Sequence, residues 1–512
     1  MTAVTARVRS LRLDEAIAAP WAVPVALTAL SALSLYLRTR ELHAGYWIDE
    51  GLSVGIAHHP WSSLVHTLRQ DGSPPAYYLL LRAWMSWFGD GERATHTLSL
   101  VFGIACIPLA YWFARLTFDR ATGLCCALIA ALNPFLTSYA QETRMYELEA
   151  FLSFVVGIAY LQAIVRGKRA WAPVLVAGLT AMVYTHNWAL FVCVGFAVAT
   201  AVVVRERLGL FAVVAVSVAV LYLPWVPSLL FQARHTGAPW AEVPSWRALV
   251  LAPGAVISGD AALVAFVLAA YFGLVPLVRG RPSEERTAVL AFAWAAGVAI
   301  VIAWLTSQVS PSWATRYFAV VLGPIFLLSA RAILRAGRLG LVAIVIVVFY
   351  WVGFQQKDSK ENARAIAAHL GPLSPGELVI STHPEQVPVL RYYLGPGLRF
   401  ATTLGPVHDQ QAFDWVDAVS RLRRAAPRPT LDRLLATVPR GREFVVITPV
   451  FRDYHAWKAK WTKLVWKKSE AWTRLLQADP RLRLVKHVAT DEIAIHINYF
   501  KPLQAYVYRR VG

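Results

Sequence analysis

The sequence predicts a polytopic α-helical membrane protein that carries a small soluble α/β domain at its C-terminal end. Three observations lead there. Hydrophobic residues make up 57% of the 512-residue chain and charged residues only 16%, whereas soluble domains are roughly a quarter charged. Apolar runs close to the roughly 20 residues needed to cross hydrocarbon recur up to about residue 354. Beyond residue 355 the pattern changes to short strands alternating with amphipathic helices.

The apolar runs fall at about 20–38, 94–114, 121–140, 147–165, 170–186, 188–204, 208–226, 258–278, 287–305, 314–330 and 339–354, which gives about 11 transmembrane helices. The first run is followed by "RTREL" with no small-residue cleavage site, and reads as a retained anchor. Charge supplies the orientation. With the N-terminus cytoplasmic, the inside loops hold Arg7, Arg9 and Arg12, then Arg115 and Arg120, "RGKR" at 166–169 and "RER" at 205–207. "RGRPSEER" at 279–286 and Arg331, Arg335 and Arg338 complete the series. Every such loop is basic and the opposite turns are poor in positive charge, as the positive-inside rule requires.

Three longer segments then face outward: 39–93, 227–257 and everything after about 355. The first is rich in tryptophan and apolar residues, which suits helices lying along the interface. The third contains "ELVIST" and "EFVVITPV" as strands, with "KENARAIAAHL", "PEQVPVLRYYL" and "YHAWKAKWTKLVWKKSEAWTRLLQ" as helices. The expected division is therefore a membrane domain over 1–354 and an extracytoplasmic α/β domain over 355–512.

The formal charge of +19 does not indicate nucleic acid. Much of it lies in short inside loops and the rest near the C-terminus, where it suits an anionic membrane surface or lipid carrier. All four cysteines (Cys106, Cys125, Cys126 and Cys193) sit in apolar runs and read as small hydrophobes.

Polar residues at the outer surface are the candidates for chemistry. "HAGYWIDEGLSV" places Asp49 and Glu50 just after the first span. A partly desolvated carboxylate there suits general-base work, and a solvated loop pair or helix cap fits the same spacing. "DGSPPAYYLLLR" offers Asp71, Tyr77 and Tyr78 beside a stiff Pro74–Pro75 turn. "NPFLTSYAQETRMYELEAF" gathers Gln141, Arg144 and Tyr146 in an outside turn, against the local charge bias. An anionic partner such as a lipid phosphate accounts for such an arginine, as does an internal ion pair. Arg93, Arg316 in "PSWATRYF" and His186 in "YTHNW" raise the same alternatives. No metal-ligand spacing, phosphate-binding glycine loop or serine elbow is present.

In that order these motifs resemble the GT-C superfamily of integral-membrane glycosyltransferases. They are most similar to bacterial members of glycosyltransferase family 39, relatives of protein O-mannosyltransferases and of the enzyme that adds aminoarabinose to lipid A. The likeness rests on "YWIDEG", "DGSPPAYY", "GERATHTLSLVFG", "QETRMY" and "TRYFAVVLGP", and covers roughly residues 40–330. Ser73 departs from it, because many relatives have histidine or lysine before the double proline. The resemblance implies an inverting transfer of sugar from a polyprenyl-phosphate donor to a hydroxyl of a cell-envelope glycan, lipid or protein.

In that scheme Asp49 is the base and Glu50 orients it. Arg93, Arg144, Arg316 and His186 hold the donor phosphate, while Asp71, Tyr77, Tyr78, Gln141 and Tyr146 contact substrate. No cofactor is specified and a divalent cation is left open. The alternative is a flippase or transporter of lipid-linked sugars, for which charges near the bilayer midplane are expected.

Overall fold

A computed structural model describes residues 19–353, 361–450, 458–489 and 502–512. Arg7, Arg9, Arg12 and the expected boundary at 354/355 lie outside them.

Six helices among the described residues are long and apolar enough to cross a membrane: Glu92–Thr117, Tyr146–Val165, Arg205–His235, Asp260–Arg279, Glu284–Val309 and Thr315–Arg335. Shorter apolar helices include Ala22–Arg38, Arg120–Leu132, Ala189–Val203 and Arg338–Gly353. Their outward faces expose Val213, Val216, Val264, Val267, Val342 and Val345, as expected where the solvent is lipid rather than water. Local chemistry sets the breaks between helices. Asp119 caps the helix from Arg120 by accepting from Thr122 N at 2.7 Å, and Asn133 caps the next, which has Pro134 in its first turn.

Ion pairs tie four of the basic loops together at one end of the bundle. Arg331 reaches Asp119 at 2.6 Å and Glu285 at 2.7 Å, and Arg166 reaches Glu284 at 2.6 Å. A charge is also buried within the bundle. Arg38 donates from Nη2 to the Ala130 carbonyl at 2.6 Å and lies close to Glu147. Gly103 makes their meeting possible, since a Cβ there would stand 2.6 Å from Arg38 Nη1 and 3.0 Å from a Glu147 oxygen.

Segment 39–93 folds into three helices, Ile48–Ala57, Trp61–Asp71 and Ala76–Phe88. Trp61, Trp87 and Phe88 are exposed on the latter two, the arrangement expected of helices bedded in the headgroup region.

After residue 361 the chain builds a mixed six-stranded sheet in the order β3-β2-β1-β4-β6-β5. The strands are β1 Leu378–Ser381, β2 Arg399–Thr402, β3 Gly405–Pro406, β4 Glu443–Pro449, β5 Leu482–Val488 and β6 Leu503–Arg510. β1 pairs in parallel with both β2 and β4. β1 and β4 sit centrally and are almost wholly buried, hence their continuous apolar sequences. The helices Val387–Leu394 and Lys460–Ala478 lie where the sequence pattern placed helices. β2, β3, β5 and β6 were not anticipated. β5 is an exposed edge strand, "LRLVKHV", whose charges break the apolar pattern.

The helix Ile48–Ala57 is the joint between the bundle and this sheet unit. Gly51 and Gly55, four residues apart, lie on the face turned toward the C-terminal segment. A Cβ on Gly51 would lie 2.5 Å from Val389 Cβ, and one on Gly55 would lie 2.0 Å from the Gln411 carbonyl oxygen. His59 Nε2 adds a 2.8 Å contact to Asp409. Replacing Gly55 by valine should therefore loosen the sheet unit, at a cost of about 1–3 kcal/mol typical of overpacking. Thermal unfolding and limited proteolysis of the purified protein check this, with faster cleavage after residue 361 expected.

Candidate active site

A cavity of about 220 Å³ opens at the joint, at the end of the bundle opposite the Arg331–Asp119–Glu285 cluster. Asp49, Asp71, Ser73, Arg144 and Arg316 line its bundle side. Residues separated by more than 260 positions in the chain thus share one chamber.

Asp49 and Glu50 face different ways, because neighbours on a helix are turned by about 100°. Asp49 lies in the helix's first turn and points into the cavity. Glu50 is completely buried behind it. Its Oε1 accepts from the Thr143 amide and meets His96 Nε2, both at 2.7 Å. Its Oε2 accepts from the Trp47 amide at 3.3 Å, one half of a capping box. His96 Nδ1 lies 2.9 Å from the Leu42 carbonyl. A carbonyl can only accept, so Nδ1 carries a proton, and the Nε2–Oε1 contact shares one more.

The Glu50 contacts position Arg144. Thr143 donates from its hydroxyl to Thr95 Oγ1 at 2.7 Å, and Ser99 pins the Glu142 carbonyl at 2.6 Å. Arg144 then donates from Nη1 to Ser53 Oγ at 2.9 Å and to the Asp49 carbonyl at 3.2 Å. Its Nη2 stands 3.8 Å from Asp49 Oδ2. Arg316 approaches the same oxygen at 3.5 Å, with its guanidinium 4.6 Å from the Trp240 ring centre and 5.8 Å from that of Trp47. The Nε atoms of both arginines are buried without a hydrogen-bond partner. Two cations thus converge on one carboxylate that neither grips at short range, and donors remain for an anion.

Asp71 ends the helix Trp61–Asp71 and receives a long 3.5 Å contact from Tyr78 Oη. Burial raises its carboxyl to about 6, partly offset by Ser73 and Arg144.

Several expected site residues lie elsewhere. Arg93 is exposed and does not line the cavity. The helix Glu92–Thr117 turns Thr95, His96 and Ser99 inward, which leaves Arg93 on the opposite side. Gln141 is engaged by the Glu41 amide and the Thr137 carbonyl, and braces the turn. His186 packs on Tyr317, with ring centres 4.3 Å apart, and its Nδ1 accepts from the Trp188 amide. Tyr77 is buried beneath the floor against Tyr78. Tyr146 accepts from Arg144 Nη2 at 3.4 Å without lining the cavity.

Sequence reasoning missed several other lining residues. Trp240 comes from the Pro-flanked loop "HTGAPW", and Glu361, Glu385, Trp415 and Thr462 come from the sheet unit. A tryptophan directly after a Gly-Ala-Pro turn in an outward loop was the one available signal. Among the described residues no group of three or more His, Cys, Asp or Glu side chains is placed to hold a metal ion.

No family model matches the chain, and no curated protein matches it in sequence. Solved structures do share its fold. ArnT from Cupriavidus metallidurans in the apo state superposes with a TM-score of 0.56 at 14% identity, over 94% of this chain and 97% of that one. The same protein bound to undecaprenyl phosphate gives 0.57 at 12%, over 96% and 98%. The archaeal oligosaccharyltransferase AglB from Archaeoglobus fulgidus, in complex with an inhibitory peptide and a dolichol-phosphate, gives 0.56 at 12%, over 86% and 72%. The chain therefore shares the fold of ArnT and of AglB.

Two expectations follow from this geometry. Glu50→Ala would strand His96 and the Thr143 amide in a buried site, so a loss of roughly 3 kcal/mol or more and a lower midpoint of thermal unfolding are expected. Protonating Asp71 removes a negative charge beside Arg144. An alkyl phosphodiester, whose single charge does not titrate in this range, should therefore bind roughly three- to tenfold more tightly at pH 5 than at pH 7.5. Titration calorimetry should show that dependence flattened in Asp71→Asn.

Proposed function

We propose that the protein is an inverting glycosyltransferase that moves a sugar from a polyprenyl-phosphate donor to a hydroxyl acceptor of the cell envelope. Its cavity and C-terminal unit lie on the extracytoplasmic side. The observation that carries this reading is the meeting of Asp49, Arg144 and Arg316 in one cavity. The cavity lies beside helices with exposed aromatics suited to the headgroup layer. Nucleotide sugars are cytoplasmic, so an outward-facing site needs a donor that travels in the membrane. ArnT with undecaprenyl phosphate and AglB with a dolichol-phosphate show lipid phosphates bound to this fold. The basic loops gathered at the far end support the orientation.

In the proposed step the acceptor oxygen attacks the anomeric carbon while its proton passes to Asp49. The bond from anomeric carbon to phosphate oxygen breaks with inversion, and the electron pair leaves on polyprenyl phosphate. Negative charge on the phosphate grows as that bond breaks. Arg144 and Arg316 face that charge in a site partly screened from water, where fixed cations act most strongly. General-base help of this kind contributes roughly 10²–10⁴-fold. Glu50 acts at one remove, holding the helix turn and the arginine loop in register.

Incubation of purified protein with polyprenyl-phosphate sugars and a lysate-derived envelope fraction, scored by release of polyprenyl phosphate, tests the proposal. Asp49→Asn should keep the wild-type unfolding midpoint to within a few degrees and lose transfer by at least 100-fold. Near-normal turnover in that variant would remove the base assignment.

A further inference from the structure

We infer that residues 407–417 form a strap whose grip on the helix that presents Asp49 is governed by the protonation of His59. The seam between bundle and sheet unit is thereby tight in mildly acidic surroundings and loosens toward alkaline ones. The inference concerns the seam and does not depend on the transferase reading.

The strap joins β3 to the helix Ala418–Arg424. Its Gln411 carbonyl presses on Gly55, where a Cβ would leave no room. The far end is held by main-chain bonds: the Trp415 amide donates to the Gln70 carbonyl at 3.1 Å and the Asp417 amide to the His235 carbonyl at 2.8 Å. Those bonds do not titrate. Asp417 Oδ2 also stands 3.4 Å from His235 Nδ1. The near end reaches the bundle through a side-chain contact, His59 Nε2 to Asp409 Oδ2 at 2.8 Å.

The hydrogen bonds of His59 decide its charge. Nδ1 lies 3.1 Å from the Gly55 carbonyl and 3.2 Å from that of Ile56. A carbonyl only accepts, so Nδ1 carries a proton. A neutral ring would then turn a bare lone pair on Nε2 toward Asp409. That carboxylate is itself committed as an acceptor, since the Gln411 amide donates to its Oδ1 at 2.9 Å. The contact therefore calls for the imidazolium. In keeping with this, the bond to Asp409 raises His59 above the ordinary histidine value, against the opposing effect of burial. Burial works against the Asp409 carboxylate, yet the His59 contact and the Gln411 amide hold its carboxyl below the usual range.

The other charges nearby are engaged elsewhere or exposed. Arg82 donates to the Ala57 and His59 carbonyls, His58 meets Asp90 at 3.0 Å, and His408 is exposed. Within the strap, Asp414 pairs with Arg421 at 2.8 Å. Near His235 stand Arg234 and Arg69, the latter 4.0 Å from the Phe231 ring centre. A histidine raised by folding stabilises fully below about pH 6.5, and that contribution disappears as pH rises through the raised value. The Asp409 share is lost only as pH falls through its lowered value. The strap is thus held most firmly between about pH 4 and 6.5.

Hydrogen–deuterium exchange of full-length protein in nanodiscs, read by mass spectrometry from about pH 5.5 to about 9 and corrected for the intrinsic rate, tests this. Protection of residues 407–413 should stay level to about pH 6.5 and then fall roughly threefold or more, with β1 and β4 unchanged. His59→Gln should abolish that dependence. Asp409→Asn keeps the size of the side chain and supplies an amide that can donate to a neutral Nε2, so its protection should hold or rise toward alkaline pH. A contact that merely fills space would weaken equally at every pH in this variant. Level wild-type protection across the whole range overturns the inference, as does the full alkaline loss persisting in Asp409→Asn, which decides the matter if His59→Gln does not fold. No sugar donor is present, so failure of the transferase reading leaves the result untouched.

Discussion

The buried carboxylate of Glu50 is the constraint on which the site depends. It draws together the start of the helix Ile48–Ala57, His96 of the helix Glu92–Thr117 and the turn that carries Arg144. Burying such a group is costly unless it is fully partnered. The three contacts meet that demand, and in doing so they fix where Asp49 and Arg144 stand relative to one another. The adjacent acidic pair is thus one structural residue and one cavity residue, separated by the turn of a helix.

Charge balance in the cavity follows from the same arrangement. Arg144 and Arg316 share Asp49 at 3.8 and 3.5 Å, distances that allow attraction but no strong hydrogen bond. Asp71, raised by burial, carries its negative charge only in part of the physiological range. Protonation of Asp71 therefore makes the surroundings of Arg144 more favourable to an anion as acidity increases.

Much of this was legible in the sequence, for definite reasons. Hydrocarbon imposes long apolar helices, so the membrane-embedded character could be read directly. Asp49, Asp71, Arg144 and Arg316 stood out because charge is scarce in such a chain. Arg93 looked equivalent, but the phase of its helix turns it outward while Thr95, His96 and Ser99 face in. Spacing at the start of a span does not reveal which way that span is rotated. The cavity residues contributed by the sheet unit were illegible for a different reason. Glu385 and Trp415 belong to ordinary α/β sequence, and only the docking of the sheet unit on Gly51 and Gly55 brings them to the cavity. β5 escaped notice because an exposed, charged edge does not alternate cleanly.

The two glycines also bear on how such proteins diversify. Because the sheet unit presses backbone to backbone on the helix that bears Asp49, the halves are not interchangeable cassettes. Grafting a foreign C-terminal portion onto this bundle would succeed only if the residues opposite positions 51 and 55 came with a matching contour. Variation in the sheet unit is thereby confined to substitutions that leave that seam intact, while wholesale exchange would also displace Asp49 from the cavity.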